Sequence, residues 1–210
     1  MIVKEGWPFV IGFSIMGLLF LMVTPKTGLW SCVLGMLLLV LGCFCLFFFR
    51  DPQRIIQADE RNILSPADGT VLEIVSDNSS AGKRTMVKIF LSIFNVHIQR
   101  APAAGCVGQI IYSKGRFLPA MRKEASDENE KNTIILTHPK GIIEVSQIAG
   151  IIARRIVCRV KQGETLKAGQ QYGLICFGSQ VDILLPESVN LSVSPGQKLT
   201  AGKTVIGDWK

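Results

Sequence analysis

Three side chains, far apart in the sequence, are of the types that together carry out nucleophilic chemistry. Asp68 precedes a glycine turn, His97 follows a predicted strand, and Ser179 follows Gly178 between two apolar runs. A serine hydroxyl is a weak nucleophile until a neighbouring base takes its proton. Histidine can be that base near neutral pH, and a carboxylate can hold the imidazole in the required tautomer. If the fold brings them together, these residues could activate Ser179.

Each of these residues also has an ordinary explanation. Asp-Gly is a common turn sequence, a single histidine is more often structural than catalytic, and Gly-Ser is among the commonest dipeptides. Residue types alone therefore leave both interpretations open.

The chain after residue 50 has the pattern of a β protein. Short runs rich in valine and isoleucine are separated by turn residues every 8–12 positions, which predicts an all-β sandwich or barrel. No strong amphipathic helix is expected there; residues 126–132 are predicted as a loop and 149–154 as a short turn. The predicted strands are 69–75, 85–93, 105–112, 133–138, 142–148, 155–160, 172–177, 181–185 and 190–193.

One internal repeat supports this fold class. The pattern Val-x-x-Gly-x-x-Leu-x-Ala-Gly occurs at 160–169 and again at 193–202. Its alternation of glycine turns with one apolar residue is typical of biotinyl/lipoyl-like β-sandwich domains (the barrel-sandwich hybrid). The repeat is a signal of fold and says nothing about chemistry.

The N-terminus is apolar enough to enter a membrane. Glu5 and Lys26 bracket 20 uncharged residues, and Lys26 and Arg50 bracket 23 more. Because a bilayer core needs about 20 apolar residues as helix, both runs can span it. The sequence predicts a transmembrane hairpin over residues 1–50, with a turn at 24–27 where Pro25 breaks the helix. A cleaved signal peptide and a pair of helices dipping into one leaflet are the alternatives.

Charge and cysteine content limit the possible partners. The net charge is +7, of which +6 lies on residues 50–210, and this excess fits an anionic membrane surface. No aromatic-basic pattern recurs along the strands, so nucleic acid is not expected as a partner. Basic residues flank the hairpin on its outer sides, Lys4 on one and Arg50 and Arg54 on the other, and this predicts that the following domain is in the cytoplasm. The six cysteines lack metal-ligand spacing, so reduced thiols and no metal site are expected.

Residues 113–123 combine four basic residues with apolar ones. Such a segment could contact lipid headgroups through its basic side chains. Arg116 and Phe117 are the predicted substrate-binding residues. The alternative is a solvated loop with a few core anchors.

Taken in order, these segments resemble the short-type phosphatidylserine decarboxylases of many bacteria and archaea. The most specific part is Phe-Gly-Ser at 177–179 followed by a strand that ends in Leu-Pro. The resemblance begins at about Arg50 and runs to the C-terminus. The N-terminal hairpin is a feature of the same kind as in the family, but it carries no matching sequence motif. The matching segments are 65–69, 95–102, 115–120, 128–132, 147–156 and 177–186.

The resemblance implies a proenzyme that cuts itself between Gly178 and Ser179. Ser179 Oγ would attack the Gly178 carbonyl, and elimination and hydrolysis would leave a pyruvoyl group derived from Ser179. That group would form a Schiff base with the amine of phosphatidylserine and accept electrons as CO₂ leaves, giving phosphatidylethanolamine. Neither pyridoxal phosphate nor a metal ion is implied.

The same resemblance implies an organisation and a location. A membrane-anchoring hairpin, 1–50, would precede a pyruvoyl decarboxylase domain, 51–210. Cleavage would divide the precursor into chains 1–178 and 179–210, which stay together as a heterodimer and could form a higher oligomer. The partners would be phosphatidylserine and membrane lipid, at the cytoplasmic side of the inner membrane.

The resemblance also assigns roles, with one departure. His97 would be the base and a candidate proton donor, Asp68 would orient it, and Gly178 would allow close attack because it lacks a Cβ. Long-type members carry a second histidine just upstream, where this chain has Phe94 and Asn95. The other histidine, His138, is expected to be structural, so the division of roles in the long type cannot be carried over.

Two other functions fit the same residues. One is a pyruvoyl decarboxylase with a different amino-acid substrate. The other is a membrane-tethered lipoyl-like adaptor domain without catalysis, which would leave the segments around Asp68, His97 and Ser179 unexplained.

Overall fold

The chain divides into two compact units, Met1–Gln53 and Arg54–Lys210. The computed structural model describes residues 1–57, 59–79, 82–119, 122, 124–150, 155–176 and 179–210, with the backbone alone at 77–79 and 82.

The N-terminal unit is a pair of helices. After a 3-10 turn at Lys4–Gly6, helix α1 spans Trp7–Thr27 and helix α2 spans Leu29–Phe48, and both are long and apolar enough to cross a membrane. The helices meet closely at two glycines: a Cβ on Gly17 would lie 3.0 Å from Gly35 O, and one on Gly35 would lie 2.9 Å from Gly17 O. Small residues of this kind let membrane helices approach each other.

The predicted turn at 24–27 is wrong. Helix α1 continues through Pro25 to Thr27, and the chain reverses at Gly28, whose φ is 80°. Pro25 removes only one amide near the end of the helix. Because glycine tolerates positive φ and proline cannot adopt it, the reversal falls on Gly28.

The second unit is mainly β, as the sequence predicts. Its strands, in chain order, are β1 Asn62–Leu64, β2 Gly69–Ser79, β3 Gly82–Leu91, β4 Ile98–Arg100, β5 Gly105–Ser113, β6 Lys131–His138, β7 Gly141–Ala149, β8 Arg155–Cys158, β9 Thr165–Leu166, β10 Gln171–Cys176, β11 Ser179–Pro186, β12 Val189–Leu191, β13 Lys198–Leu199 and β14 Val205–Trp209. One short helix, α3, spans Ala125–Glu128, so the predicted loop at 126–132 is only partly correct. Of the predicted turn at 149–154, residues 151–154 lie outside the described residues.

In the described part of the chain, the strands form one large and two small sheets. The large sheet has the order β13-β2-β3-β11-β7-β6-β5-β9, and the small ones are β1-β14-β12 and β4-β10-β8. Strand β11 is central in the large sheet, pairing with β3 on one side and β7 on the other. It is buried from Ser179 to Leu185. Its alternate residues Val181, Ile183 and Leu185 enter the hydrophobic core.

The internal repeat builds the two edges of the large sheet. Its copies supply β9 and β13, whose buried Leu166 and Leu199 are equivalent positions. The first glycine of each copy has nearly the same backbone angle, φ 85° at Gly163 and 84° at Gly196. Glycine is required at these turns because other residues rarely adopt positive φ.

Candidate active site

The register of the large sheet brings the predicted site residues to one end. Ser179, the first residue of β11, pairs with Leu91 at the end of β3 and with Ala149 at the end of β7. Asp68 immediately precedes β2, which lies on the other side of β3. Since neighbouring strands are about 4.8 Å apart, the start of β2 lies roughly 10 Å from Ser179.

His97 is carried to the same end by the connection between β3 and β4. Its carbonyl oxygen accepts a hydrogen bond from the amide of Ile175 at 3.1 Å. Ile175 belongs to β10, which ends at Cys176, three residues before Ser179. The fold therefore places the His97 backbone beside the segment that leads into Ser179. The predicted scissile residue Gly178 lies outside the described residues.

The imidazole of His97 is held in one tautomer. The side chain is buried, with 2% exposure, and its Nδ1 lies 3.0 Å from the carbonyl oxygen of Asn95. Because a carbonyl only accepts, Nδ1 must carry the hydrogen, and in the neutral ring the lone pair is on Nε2. A base that acts through Nε2 requires this tautomer.

Ser179 presents a buried hydroxyl at the head of its strand. The residue is fully buried, and its Oγ has no hydrogen-bond partner among the described residues. Most buried polar side-chain atoms do have a partner, so an exception calls for a reason. A role as a nucleophile would be such a reason, because no described hydrogen bond then has to break before the hydroxyl attacks.

Asp68 has partners other than the predicted one. Its carboxylate receives two hydrogen bonds from the guanidinium of Arg54, at 2.6 and 2.8 Å, and a third from the amide of Ala201 at 2.8 Å. The contact that fixes the tautomer of His97 comes from Asn95. A direct role of Asp68 in orienting the imidazole therefore stays a prediction.

Sequence reasoning missed the role of Arg54. It was interpreted only as a charge flanking the membrane segment, yet it also donates to the carbonyl of Ala201 at 2.6 Å and is almost fully buried. No local pattern indicates this pairing, because Ala201 is distant in sequence and the contact exists only in the folded domain.

We expect the Arg54→Gln substitution to destabilise the domain strongly. Removing the guanidinium leaves the carboxylate of Asp68, only 13% exposed, without its ionic partner. Breaking a buried pair in this way typically costs about 3–5 kcal/mol in the free energy of unfolding, and Asp68→Asn in the same chain should recover part of it. Denaturant unfolding measures the change.

Arg116→Gln is the matched control for this substitution. Arg116 pairs with Glu128 at 3.1 Å, but the two side chains are 76% and 44% exposed. An exposed pair contributes at most about 1 kcal/mol. Equal losses from the two substitutions would contradict the structural importance of the Arg54–Asp68 pair.

The predicted substrate-binding segment is tied to the strand beside Ser179. Phe117 packs against the core, and the next residue, Leu118, forms two backbone hydrogen bonds with the buried amide side chain of Asn129. That side chain also donates to the carbonyl of Ala149 at 2.8 Å. Substrate binding by Arg116 and Phe117 stays a prediction.

Another acidic residue, Asp182, lies on the face of β11 opposite to the core residues Val181 and Ile183, and it is also buried. Burial raises the pKa of its carboxyl above 3.8, while hydrogen bonds from Gln180 and Ser126 and the charges of two lysines oppose the shift. The folded protein therefore holds this proton more tightly than the unfolded chain does. As pH rises from 3.8 through the raised pKa, the free energy of unfolding should fall.

We expect the Asp182→Asn substitution to flatten this part of the pH profile. Asparagine keeps an oxygen that can accept from Gln180 Nε2, now 2.6 Å from Asp182, but it has no proton to lose. Relative to the wild type, the variant should gain stability as pH rises towards neutrality. Urea unfolding between acidic and neutral pH measures this, with the exposed Asp208→Asn as control. Parallel profiles for wild type and Asp182→Asn would refute the expectation.

A buried serine heads the central strand, and the backbone of a buried histidine with its lone pair on Nε2 is hydrogen-bonded to β10, the strand before that serine; these are residue types suited to acyl chemistry. The Ser179 Oγ has no hydrogen-bond partner among the described residues, so it is not hydrogen-bonded to the imidazole of His97 in this structure. A family model described as phosphatidylserine decarboxylase matches residues 41–207. A protein of Geotalea uraniireducens (strain Rf4) is 45% identical over 209 residues, which is 98% of this chain and 95% of the relative. A protein of Geobacter sp. (strain M21) is 42% identical with the same coverage. Both are named phosphatidylserine decarboxylase proenzyme. The chain belongs to the phosphatidylserine decarboxylase family.

Proposed function

We propose that this protein decarboxylates phosphatidylserine and that it makes its own catalytic group by cutting the bond between Gly178 and Ser179. The observation that carries the proposal is the buried Ser179 hydroxyl, without a hydrogen-bond partner among the described residues, at the head of the central strand. The names of the relatives supply the substrate and the word proenzyme.

The self-cleavage is an acyl shift followed by an elimination. Ser179 Oγ gives its proton to Nε2 of His97 and attacks the carbonyl carbon of Gly178. The imidazolium returns the proton to the nitrogen of Ser179 as the C–N bond breaks, which leaves an ester and a free amine. Removal of the Cα proton of Ser179 then breaks the Cβ–O bond and releases Gly178 as a carboxylate. Water converts the remaining dehydroalanine into a pyruvoyl group, and ammonia leaves.

The strand that follows the cut holds the small chain in place. Strand β11 pairs along its length with β3, and residues 179–184 also pair with β7. Both neighbours belong to the large chain, 1–178. The hydrogen bonds and the buried side chains of β11 would keep chain 179–210 docked as a heterodimer after cleavage.

The burial of Ser179 suits the decarboxylation that would follow the cut. A pyruvoyl group at residue 179 supplies a carbonyl that withdraws electrons from the carbon losing CO₂. Ser179 is fully buried, so the residues around it exclude water and weaken the solvation of the substrate carboxylate. His97 can return a proton from Nε2 to the product.

Two observations favour a lipid substrate at a membrane. Helices α1 and α2 are long and apolar enough to anchor the protein. The basic charge of the remaining chain suits an anionic bilayer surface, and we assign the domain to the cytoplasmic side by the excess of basic residues on the outer flanks of the hairpin.

The test combines mass analysis with an activity assay. The purified protein should contain two chains, one ending at Gly178 and one beginning with a blocked residue 179, and it should release CO₂ from phosphatidylserine vesicles. A single intact chain in an active preparation would overturn the self-cleavage. Activity on free serine but not on vesicles would instead indicate another amino-acid substrate.

A further inference from the structure

Three buried amide side chains form a continuous hydrogen-bonded chain that ends on His97. Asn132 Nδ2 donates to Gln147 Oε1 at 3.1 Å, and Gln147 Nε2 donates to Gln99 Oε1 at 2.9 Å. Gln99 Nε2 then donates to the carbonyl oxygen of His97 at 2.9 Å. Gln99 and Gln147 are fully buried, and Asn132 is 4% exposed.

The direction of this amide chain is fixed at the His97 end. A carbonyl oxygen only accepts hydrogen bonds, so Gln99 must turn its NH₂ group towards His97. Its oxygen then faces Gln147, which must donate, and the oxygen of Gln147 must accept from Asn132. Each amide therefore has a single orientation that satisfies its neighbours.

The amide chain joins two sheets at the place where the proposed cut occurs. Asn132 and Gln147 lie on β6 and β7 of the large sheet, whereas Gln99 lies on β4 of the small sheet β4-β10-β8. Strand β10 of that small sheet is followed, after residues 177–178, by β11 of the large one. The amides thus bridge the same two sheets that the Gly178–Ser179 bond connects covalently.

Close packing around Gln147 makes this bridge specific. Gln147 pairs with Val181, two residues after Ser179. On the other side it lies against β10, where a Cβ added to Gly173 would come within 2.8 Å of Gln147 Nε2. The glycine admits the amide side chain, so no larger residue fits at 173 without moving the bridge.

Stability alone does not explain three amides in this position. Burying a polar group costs free energy that its hydrogen bonds only approximately offset. Hydrocarbon side chains of the same size would therefore stabilise the fold at least as much. A fully satisfied buried network does, however, specify one geometry. Here that geometry is the position of the His97 peptide relative to the strand of Ser179.

We propose that Gln99 and Gln147 are positioning residues for self-cleavage. They set the peptide of His97, and through it the imidazole, against the strand that begins with Ser179. This inference rests on the proposed function, because it concerns the rate at which the Gly178–Ser179 bond is cut. An error of about 1 Å in such an alignment can cost about 100-fold in rate.

Two substitutions at Gln147 test the inference in freshly translated full-length precursor. Gln147→Met keeps the length of the side chain but makes no hydrogen bonds, and it should slow cleavage by about 10- to 100-fold at every pH. Gln147→Glu can replace the amide only when its carboxyl is protonated, since only then can it donate to Gln99. Its rate relative to the wild type at the same pH should therefore rise several-fold from pH about 8 to about 5.5.

The controls separate positioning from folding and from the proposed function. Gln109→Glu changes an exposed glutamine on β5 and should cleave like the wild type. Each variant is also made with Ser179→Ala, and the melting of that uncleaved precursor shows whether it is folded. If Gln147→Met does not melt cooperatively, the pH profile of Gln147→Glu decides.

The outcomes are distinct. Wild-type precursor that stays intact refutes the proposed function itself. If the wild type cleaves, the inference is overturned when folded Gln147→Met cleaves within twofold of it, or when the rate of Gln147→Glu relative to the wild type does not change with pH. Because an ionised glutamate at this buried position can itself unfold the domain, the ratio is compared only at pH values at which the Ser179→Ala form of Gln147→Glu melts cooperatively. Slow Gln147→Met together with a ratio that rises over that range supports positioning.

Discussion

The Ser179→Ala substitution is expected to leave the protein as one intact chain of 210 residues, without measurable decarboxylation. The hydroxyl is needed twice in the proposed chemistry, first as the nucleophile and then as the leaving oxygen of the elimination. A methyl group does neither. Because the catalytic carbonyl would itself derive from Ser179, loss of cleavage also removes the decarboxylation of phosphatidylserine.

The same substitution should not damage the fold. The hydroxyl of Ser179 is buried without a hydrogen-bond partner among the described residues, so replacing it with a methyl group removes no described hydrogen bond. Leaving a polar group unsatisfied costs about 1–3 kcal/mol, and alanine avoids that cost. The melting temperature of Ser179→Ala should therefore equal or exceed that of uncleaved wild-type precursor.

Denaturing electrophoresis with mass analysis, and CO₂ release from phosphatidylserine vesicles, measure the two effects of Ser179→Ala. Ser192→Ala is the matched control, since Ser192 is an exposed serine in the same small chain. It should cleave and react like the wild type. Decarboxylation by a Ser179→Ala protein that melts normally would show that the activity does not originate at residue 179.

The sequence predicted the long strands well because their signals are local. Alternating apolar residues and glycine turns identified β2, β3, β5, β6, β7 and β11, most of them to within a few residues at each end. It missed β1, β4, β9, β13 and β14, which are two to five residues long. Strands of this length show little or no period of two and exist only through pairing with distant segments, although the comparably short β8 and β12 were predicted at 155–160 and 190–193.

The same distinction applies to the site. Residue type made Ser179 and His97 candidates and the family resemblance singled them out, but neither indicated the groups that position them. Asn95 fixes the tautomer of His97 through a backbone carbonyl, which has no sequence signature. The contact between Gln99 and Gln147 joins residues 48 positions apart and follows only from how the sheets meet. Residue types predict which chemistry is possible, whereas the pairing register of the strands decides which side chains come together.

The His97→Asn substitution should slow self-cleavage by about 10²–10⁴-fold, the usual contribution of a general base. The Nδ2 of asparagine can replace Nδ1 in donating to the carbonyl of Asn95, so the local hydrogen bond is retained. No atom replaces Nε2, and Ser179 then loses the group that takes its proton. The variant isolates the base from the structural role of the ring, which a change to alanine would not.

His138→Asn is the matched control because it removes the other histidine of the chain. His138 stacks on Trp209 with ring centroids 4.8 Å apart, and it ends β6 at the turn into β7, at the end of the sheet opposite Ala149 and Ser179. Its loss should cost some stability but leave the cleavage rate unchanged. The time course of precursor conversion measures both variants.

The pH dependence of cleavage tests the role of His97 as a base more specifically than the cleavage rate at one pH does. A base must be unprotonated to accept the proton of Ser179, so the wild-type rate should fall as the medium is acidified. His97→Asn has no imidazole to protonate and should lose that dependence along with the rate. If His97→Asn is slow but keeps the wild-type profile, His97 orders the site and another group takes the proton. If it is neither slow nor altered in profile, the tautomer held by Asn95 has no part in the cut, and the base must be sought among the other groups around Ser179.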